Sequence, residues 1–107
     1  MDWNTVNESD WKLFRQKLPA WQEAYLGKKN REYAAILSGS GKASEKFWSL
    51  EKCIRRDKQN LDQIRMSRSY LYINISTLLE RKMITPADLA DFSDEFKERM
   101  SFAFKGE

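Results

Sequence analysis

At 107 residues, 41% hydrophobic and 13% aromatic, the chain is the size of one domain with one core and too small for two. A single cysteine, Cys53, and no histidine exclude an intramolecular disulfide and leave no donor set for a structural zinc site. The net charge of +3 is unevenly spread: residues 42–68 carry eight Lys and Arg against four Asp and Glu, and residues 86–107 carry three against six, so the centre is basic and the tail acidic.

Asp2 and the absence of an apolar run in "MDWNTVNESDW" argue against a signal peptide. No stretch approaches the roughly 20 apolar residues that span a bilayer, so a cytoplasmic protein with no membrane contact is expected. Prolines occur only at 19 and 86 and no alternating β-branched run occurs, which predicts an all-α fold. The expected architecture is one domain over 1–107, with 1–8 flexible. It forms a compact bundle of about five helices with the fourth, about 61–82, at its centre.

The first helix starts near Ser9 or Asp10 and covers "DWKLFRQKL", with Trp11, Phe14 and Leu18 as its apolar stripe. Pro19 disfavours helix at Leu18 and can open the next one. The second helix then runs "PAWQEAYLGKKNREYAAILS", with Trp21 and Tyr25 on one edge and Leu26, Tyr33, Ile36 and Leu37 on another. Gly39 and Gly41 bracket a break, after which Ser44 caps a third helix whose core stripe is Phe47, Leu50 and Ile54. One turn on, Asp57 and Lys58 fall on that same side, so the helix is expected to end near 57–60.

The fourth helix has two apolar faces, Ile64, Leu71, Ile75 and Leu78 opposite Met66, Tyr70 and Ile73. Such a helix packs between neighbours, in a monomer or across a dimer. In "MITPADL", Thr85 is an N-cap, Pro86 the first helical residue and Asp88 completes a capping box. The last helix presents Leu89, Phe92, Phe96 and Met100 on one face, with a kink near Ser93.

"ILSGSGKAS" resembles the end of a phosphate-binding loop, but a Walker A pattern anchored on Gly41 and Lys42 meets Ile36 in place of its first glycine and Ala43 in place of its hydroxyl. The stretch is read as an interhelical turn. Without histidine, acid–base chemistry would need paired carboxylates. Asp91, Asp94, Glu95 and Glu98 read as a solvated face, and Cys53 as a semi-buried thiol with no His or second Cys to activate it. No catalytic residue, metal or other cofactor is expected.

The basic centre carries the candidate binding site. Trp48, Lys52, Arg55 and Arg56 lie on the third helix away from its stripe, Arg65 and Tyr72 lie on one side of the fourth, and Lys42 adds charge at the turn. If these helices form a hairpin, the residues merge into one surface for phosphates, with Trp48 or Tyr72 to stack on a base. The same residues also read as solvated charge with pairs such as Glu51–Arg55, as a dock for an acidic protein, or, for Arg68, as an ion pair with the last helix. Of the four tryptophans, one left exposed would anchor a protein partner.

"DWKLFRQKLPAWQEAY", "ILSGSGKASEKFWSLEKCI" and "MSRSYLYINISTLLERKMITPADLADFSDEFKE" resemble a family of short, all-helical proteins encoded on plasmids and integrative elements of Gram-positive bacteria. The resemblance brings no catalytic motif. Relatives place a glycine before the "IT" turn where this chain has Lys82 and Met83, which argues against a left-handed helix cap there. What the resemblance implies is a small accessory protein that travels with mobile DNA. The functional expectation is a non-enzymatic interaction protein. It binds a protein partner that handles nucleic acid, in a regulatory or counter-defence role such as anti-CRISPR inhibition, or else binds DNA or RNA directly.

Overall fold

The structure, a computed structural model, describes residues 6–101. All regular elements there are helical: α1 (Glu8–Ser38), α2 (Ala43–Asp62), α3 (Leu71–Glu80) and α4 (Asp94–Arg99), with 3₁₀ turns at Arg68–Tyr70 and Pro86–Leu89. The all-α expectation holds. The expectation of about five helices around a central fourth does not.

The first difference is at Pro19, which lies inside α1 and does not end it. A mid-helix proline removes one backbone hydrogen bond and costs about 3 kcal/mol. Leu18 and Tyr25, one on each side of it, are both buried in the core, and each such side chain returns about 1.5–3 kcal/mol. Arg15, whose carbonyl loses its donor, is exposed to water. The 31 residues of α1 therefore form one rod.

The second difference is the segment expected as the central helix. Asn74 donates from Nδ2 to the Arg65 carbonyl (2.6 Å) and accepts from the Arg65 amide through Oδ1 (3.1 Å). Its buried side chain thus satisfies a backbone that would otherwise enter a helical ladder, and the chain runs irregularly between α2 and the 3₁₀ turn. Only α3 remains helical, with Leu71, Ile75 and Leu78 fully buried and the second apolar face of Met66, Tyr70 and Ile73 exposed.

A globular end forms where the N-terminal half of α1 meets α3, the Pro86–Leu89 turn and α4. Its core includes Trp11, Phe14, Leu18, Leu71, Ile75, Leu89, Phe96 and Met100. Aromatic rings run through it in series: Trp11, Phe14, Trp21, Phe92, Phe96 and Tyr72, with successive centroids 4.4–6.3 Å apart. One carboxylate ties the ends of the sequence together. Asp10, 2% exposed, accepts from the Ser93 amide (2.9 Å) and hydroxyl (2.6 Å), while Ser93 caps α4 by accepting from the Phe96 amide (3.1 Å).

Asp10 is thus a buried partner of α4, and the cap of α1 is Asn7, which accepts from the Ser9 amide. Val6 packs against the core, and residues 1–5, with Trp3, lie outside the described residues. The expected kink at Ser93 is a full break, and Leu89, Phe92, Phe96 and Met100 are buried as predicted. The Thr85–Asp88 capping box forms, on a 3₁₀ turn. Arg68 pairs with Glu8 of α1 at 2.7 Å and is half exposed; the alternative of a pair with the last helix is not the one formed.

The C-terminal half of α1 leaves the globular end and returns as α2 through a turn containing Gly41, whose φ of +124° needs glycine. This antiparallel hairpin makes the molecule 55 × 26 × 21 Å, with a radius of gyration of 16.8 Å against about 13 Å for a compact domain of this size. The protein is elongated, and the compact bundle is corrected accordingly. Lys42 occupies the N-cap of α2 without a side-chain bond, where Ser44 was expected.

Lys82 takes a left-handed conformation, φ +60°. The Met83 amide bonds the Leu78 carbonyl (2.8 Å) and the Lys82 amide bonds Leu79 (3.1 Å), which is a Schellman cap built on a lysine. Burial of Met83 and Ile84 holds the strain in place. Lys82→Gly is expected to raise stability by about 0.5–1 kcal/mol and Lys82→Val to lower it, read as shifts of the urea midpoint at constant slope. Asp10→Ala is expected to cost about 2 kcal/mol, because the Ser93 hydroxyl and amide lose their buried acceptor.

Candidate functional site

The hairpin is held by a polar clasp. Asp57, 2% exposed, accepts from Tyr25 Oη (3.1 Å) and from Tyr33 Oη. Arg56 Nε lies 3.3 Å away and Lys29 Nζ 3.8 Å, and Asn60 donates to Tyr25 Oη at 3.2 Å. The sequence reading placed the end of the helix near Asp57 because a charge fell on the apolar side; the helix instead continues to Asp62 with the carboxylate turned inward and fully partnered.

Burial acting alone would raise the Asp57 pKa, but the Tyr33 bond, the Lys29 charge and the bonds from Tyr25 and Arg56 together hold it below the ordinary carboxylate value. Tyr33 is shifted upward, first by burial and then by its bond to Asp57 and that residue's charge.

Turning Asp57 inward fixes the rest of α2. Trp48 lies nine residues earlier, and at about 100° per residue that puts it on the opposite, outward side. It is 64% exposed, with Lys52 and Arg55 exposed beside it. Phe47, Leu50 and Ile54, expected as core, form a lane along one flank, and Phe47 is 61% exposed. An open groove runs along this lane, with Glu51, Lys58 and Asp62 on its rim. Phe47 and Trp48 meet edge to face at 4.9 Å between centroids, linking the flank to the outer side.

The expected merged surface is therefore brought together only in part. Trp48, Lys52 and Arg55 share the outer side of α2, with Arg55 bonded to Glu51 as predicted. Arg56 is drawn toward Asp57 on another flank, and Lys42 sits at the far tip of the hairpin. Arg65 lies beyond the other end of α2, its guanidinium 5.7 Å from the centre of the Tyr70 ring. Fourteen residues of helix separate Trp48 from Asp62, about 21 Å, so Arg65 belongs to a different surface.

Tyr72 is no base-stacking residue. It is 8% exposed, stacked on Phe96 and covered by Arg99, whose guanidinium lies 5.1 Å from its ring centre. Burial is the main cause of its raised pKa.

Phe47, Ile54, Lys58 and Asp62 were missed as surface residues because an i, i+3, i+7 apolar spacing is the signature of a buried stripe. The signal that could have found them is Asp57, since a second polar stripe of Cys53, Asp57 and Asn60 runs beside the apolar one and competes for the inner position. Cys53 is half-buried, as expected. Among the described residues no cluster of three or more His, Cys, Asp and Glu is placed to hold a metal, and no helix is long and apolar enough to cross a membrane. The chain matches no family model, no curated protein and no solved structure.

The clasp predicts a pH window. Asp57 has a depressed pKa in the folded state, so its contribution is present above the unfolded value of about 4 and is lost as pH falls through the lower folded value. Tyr33 has a raised one, so its contribution is present below about 10 and is lost as pH rises further. The helical signal is expected to hold between these limits and to decline outside both. Asp57→Asn should flatten the acid limb. Asp57→Ala, which strands two tyrosine hydroxyls, should cost about 2–3 kcal/mol in urea unfolding.

Proposed function

We infer that the protein is a non-enzymatic interaction module acting in the cytoplasm for a mobile genetic element. In this reading it docks the outer side of α2 on a protein that itself handles nucleic acid, as a regulator or counter-defence inhibitor. The observation that carries the reading is Trp48, 64% exposed at the side of the hairpin opposite its clasp, flanked by Lys52 and Arg55. Tryptophan and arginine are the residue types most enriched among the few that dominate protein interfaces, and a large aromatic on an arm projecting from the core is free to enter a partner's pocket. The setting rests on the family resemblance of the three stretches quoted above.

A second reading, direct binding of DNA or RNA, is favoured by the adjacency of Trp48 and Lys52, an exposed stacking ring beside an exposed cation. Against it weighs the neutralisation of Arg55 by Glu51 and of Arg56 by Asp57.

The test is affinity purification from a native-like host, read by mass spectrometry and followed by titration of the recovered partner. Trp48→Ala is expected to weaken binding by about 2 kcal/mol or more, roughly 30-fold, with unchanged helicity. Recovery of nothing above background with a folded bait would overturn the proposal. For the second reading, a mobility shift that falls steeply with salt and disappears in a Trp48, Lys52, Arg55 triple alanine variant is the expected result. Arg56 is left in place there because it bonds Asp57. Absence of any shift at low salt rules nucleic acid out.

A further inference from the structure

A second exposed face lies at the globular end, on α3. Asn74 pins both backbone groups of Arg65, and the Arg65 carbonyl also accepts from the Ser67 amide (2.9 Å), a three-residue turn with Met66 at its apex. Met66 and, across this clamp, Ile73 are each more than half exposed, and Tyr70 stands one turn before Ile73. The Arg65 guanidinium lies over the Tyr70 ring. A cation is thereby held among three exposed apolar side chains before any partner arrives, which lowers the ordering cost of binding there.

The charge around this face has one sign. Residues 63–79 contain Arg65 and Arg68 and no Asp or Glu. Arg68 is neutralised by Glu8, whereas Arg65 pairs with no carboxylate among the described residues. The next acid along α3, Glu80, is seven residues beyond Ile73, about 10 Å along the axis, and Arg81 and Lys82 follow it. A guanidinium stacked on a ring keeps its N–H edge for a bidentate carboxylate. The face therefore complements a segment that carries a carboxylate next to aliphatic or aromatic side chains.

Other occupants fit less well. Met66 and Ile73 offer no ring on which a base could stack, and the Tyr70 ring already has Arg65 over it. A single arginine at the centre is far short of the several phosphate contacts that hold a nucleic acid. A second copy does present acids, at Asp94 and Glu98, but the apolar residues beside them, Phe92 and Phe96, are buried.

We propose that the face of Met66, Tyr70 and Ile73 docks an acidic, apolar peptide segment of a partner protein, with Arg65 pairing its carboxylate. This face is separate from Trp48 on α2, and docking at either can fail without the other.

Selection of a phage-displayed random peptide library on the full chain tests the proposal, after depletion of the library on an Arg65→Glu, Ile73→Ser double variant. The expected result is enrichment of sequences with Asp or Glu beside Leu, Ile or Phe. Titrated as synthetic peptides by fluorescence anisotropy, these should bind Arg65→Glu and Ile73→Ser each about tenfold or more less tightly, and Trp48→Ala as tightly as the parent chain. Far-UV circular dichroism should show parental helicity in every variant, since the substituted side chains are exposed. No enrichment, enriched sequences without an acid, or affinity indifferent to Arg65→Glu or Ile73→Ser would each overturn the proposal. So would binding of single-stranded DNA or phosphatidylserine vesicles that Arg65→Glu abolishes while no peptide is selected.

Discussion

The orientation of one buried carboxylate governs the outer half of the molecule. Asp57 carries a charge that a low-dielectric interior tolerates only when it is fully hydrogen-bonded. Tyr25, Tyr33, Lys29 and Arg56 supply that shell from both helices of the hairpin. Because the helix is rigid about its axis, turning position 57 inward turns positions 47 and 54 to the flank and position 48 outward. The exposure of Phe47, Trp48 and Ile54 is a geometric consequence of where the charge went. Removing such a carboxylate would strand its tyrosine partners, whereas an apolar α2–α1 seam would have hidden the lane.

Asp10 does the corresponding work at the globular end, with the opposite outcome. Its two bonds to Ser93 place α4 so that Phe92 and Phe96 complete the run of rings from Trp11 to Tyr72. There the polar contact draws apolar faces together. The two carboxylates divide the molecule into an end where burial is nearly complete and an arm where little is buried besides the clasp. Local opening is expected to begin in the arm, since the free energy of sub-global unfolding follows buried apolar contact.

Local chemistry was legible in the sequence wherever a few adjacent residues decide the outcome. The Thr85–Asp88 capping box, the Glu51–Arg55 pair, the Gly39–Gly41 turn and the buried face of Leu89, Phe92, Phe96 and Met100 all depend on neighbours within a turn or two. What failed depends on long-range choices. Pro19 reads as a boundary because its local cost is visible and the core burial of Leu18 and Tyr25 that offsets it is not. The run over 61–82 reads as one helix because nothing local shows that the Asn74 side chain will capture the backbone of Arg65. The lack of a glycine at 82–83 argues against a left-handed cap, because the burial of Met83 and Ile84 that imposes it on Lys82 lies outside the helix. At the candidate site, Trp48, Lys52, Arg55 and Arg56 read as one side of α2, but Arg56 turns to Asp57, and Tyr72, read as a surface ring, is buried against Phe96.

The arm's exposed side chains also set the scale of any association it makes. Burying Phe47, Trp48 and Ile54 returns about 1.5–3 kcal/mol apiece, or about 5–9 kcal/mol together. Lost translational and rotational freedom costs about 4–15 kcal/mol at the standard state. Apolar burial on this arm therefore comes close to cancelling the cost of association and leaves little surplus of its own. What remains to decide between partners, and between registers of one partner, is the pattern of charge around the apolar lane. On α2 that pattern is written in Glu51, Lys58 and Asp62 on the flank and in Lys52 and Arg55 on the outer side, so these residues, more than the aromatics they surround, hold the specificity of the surface.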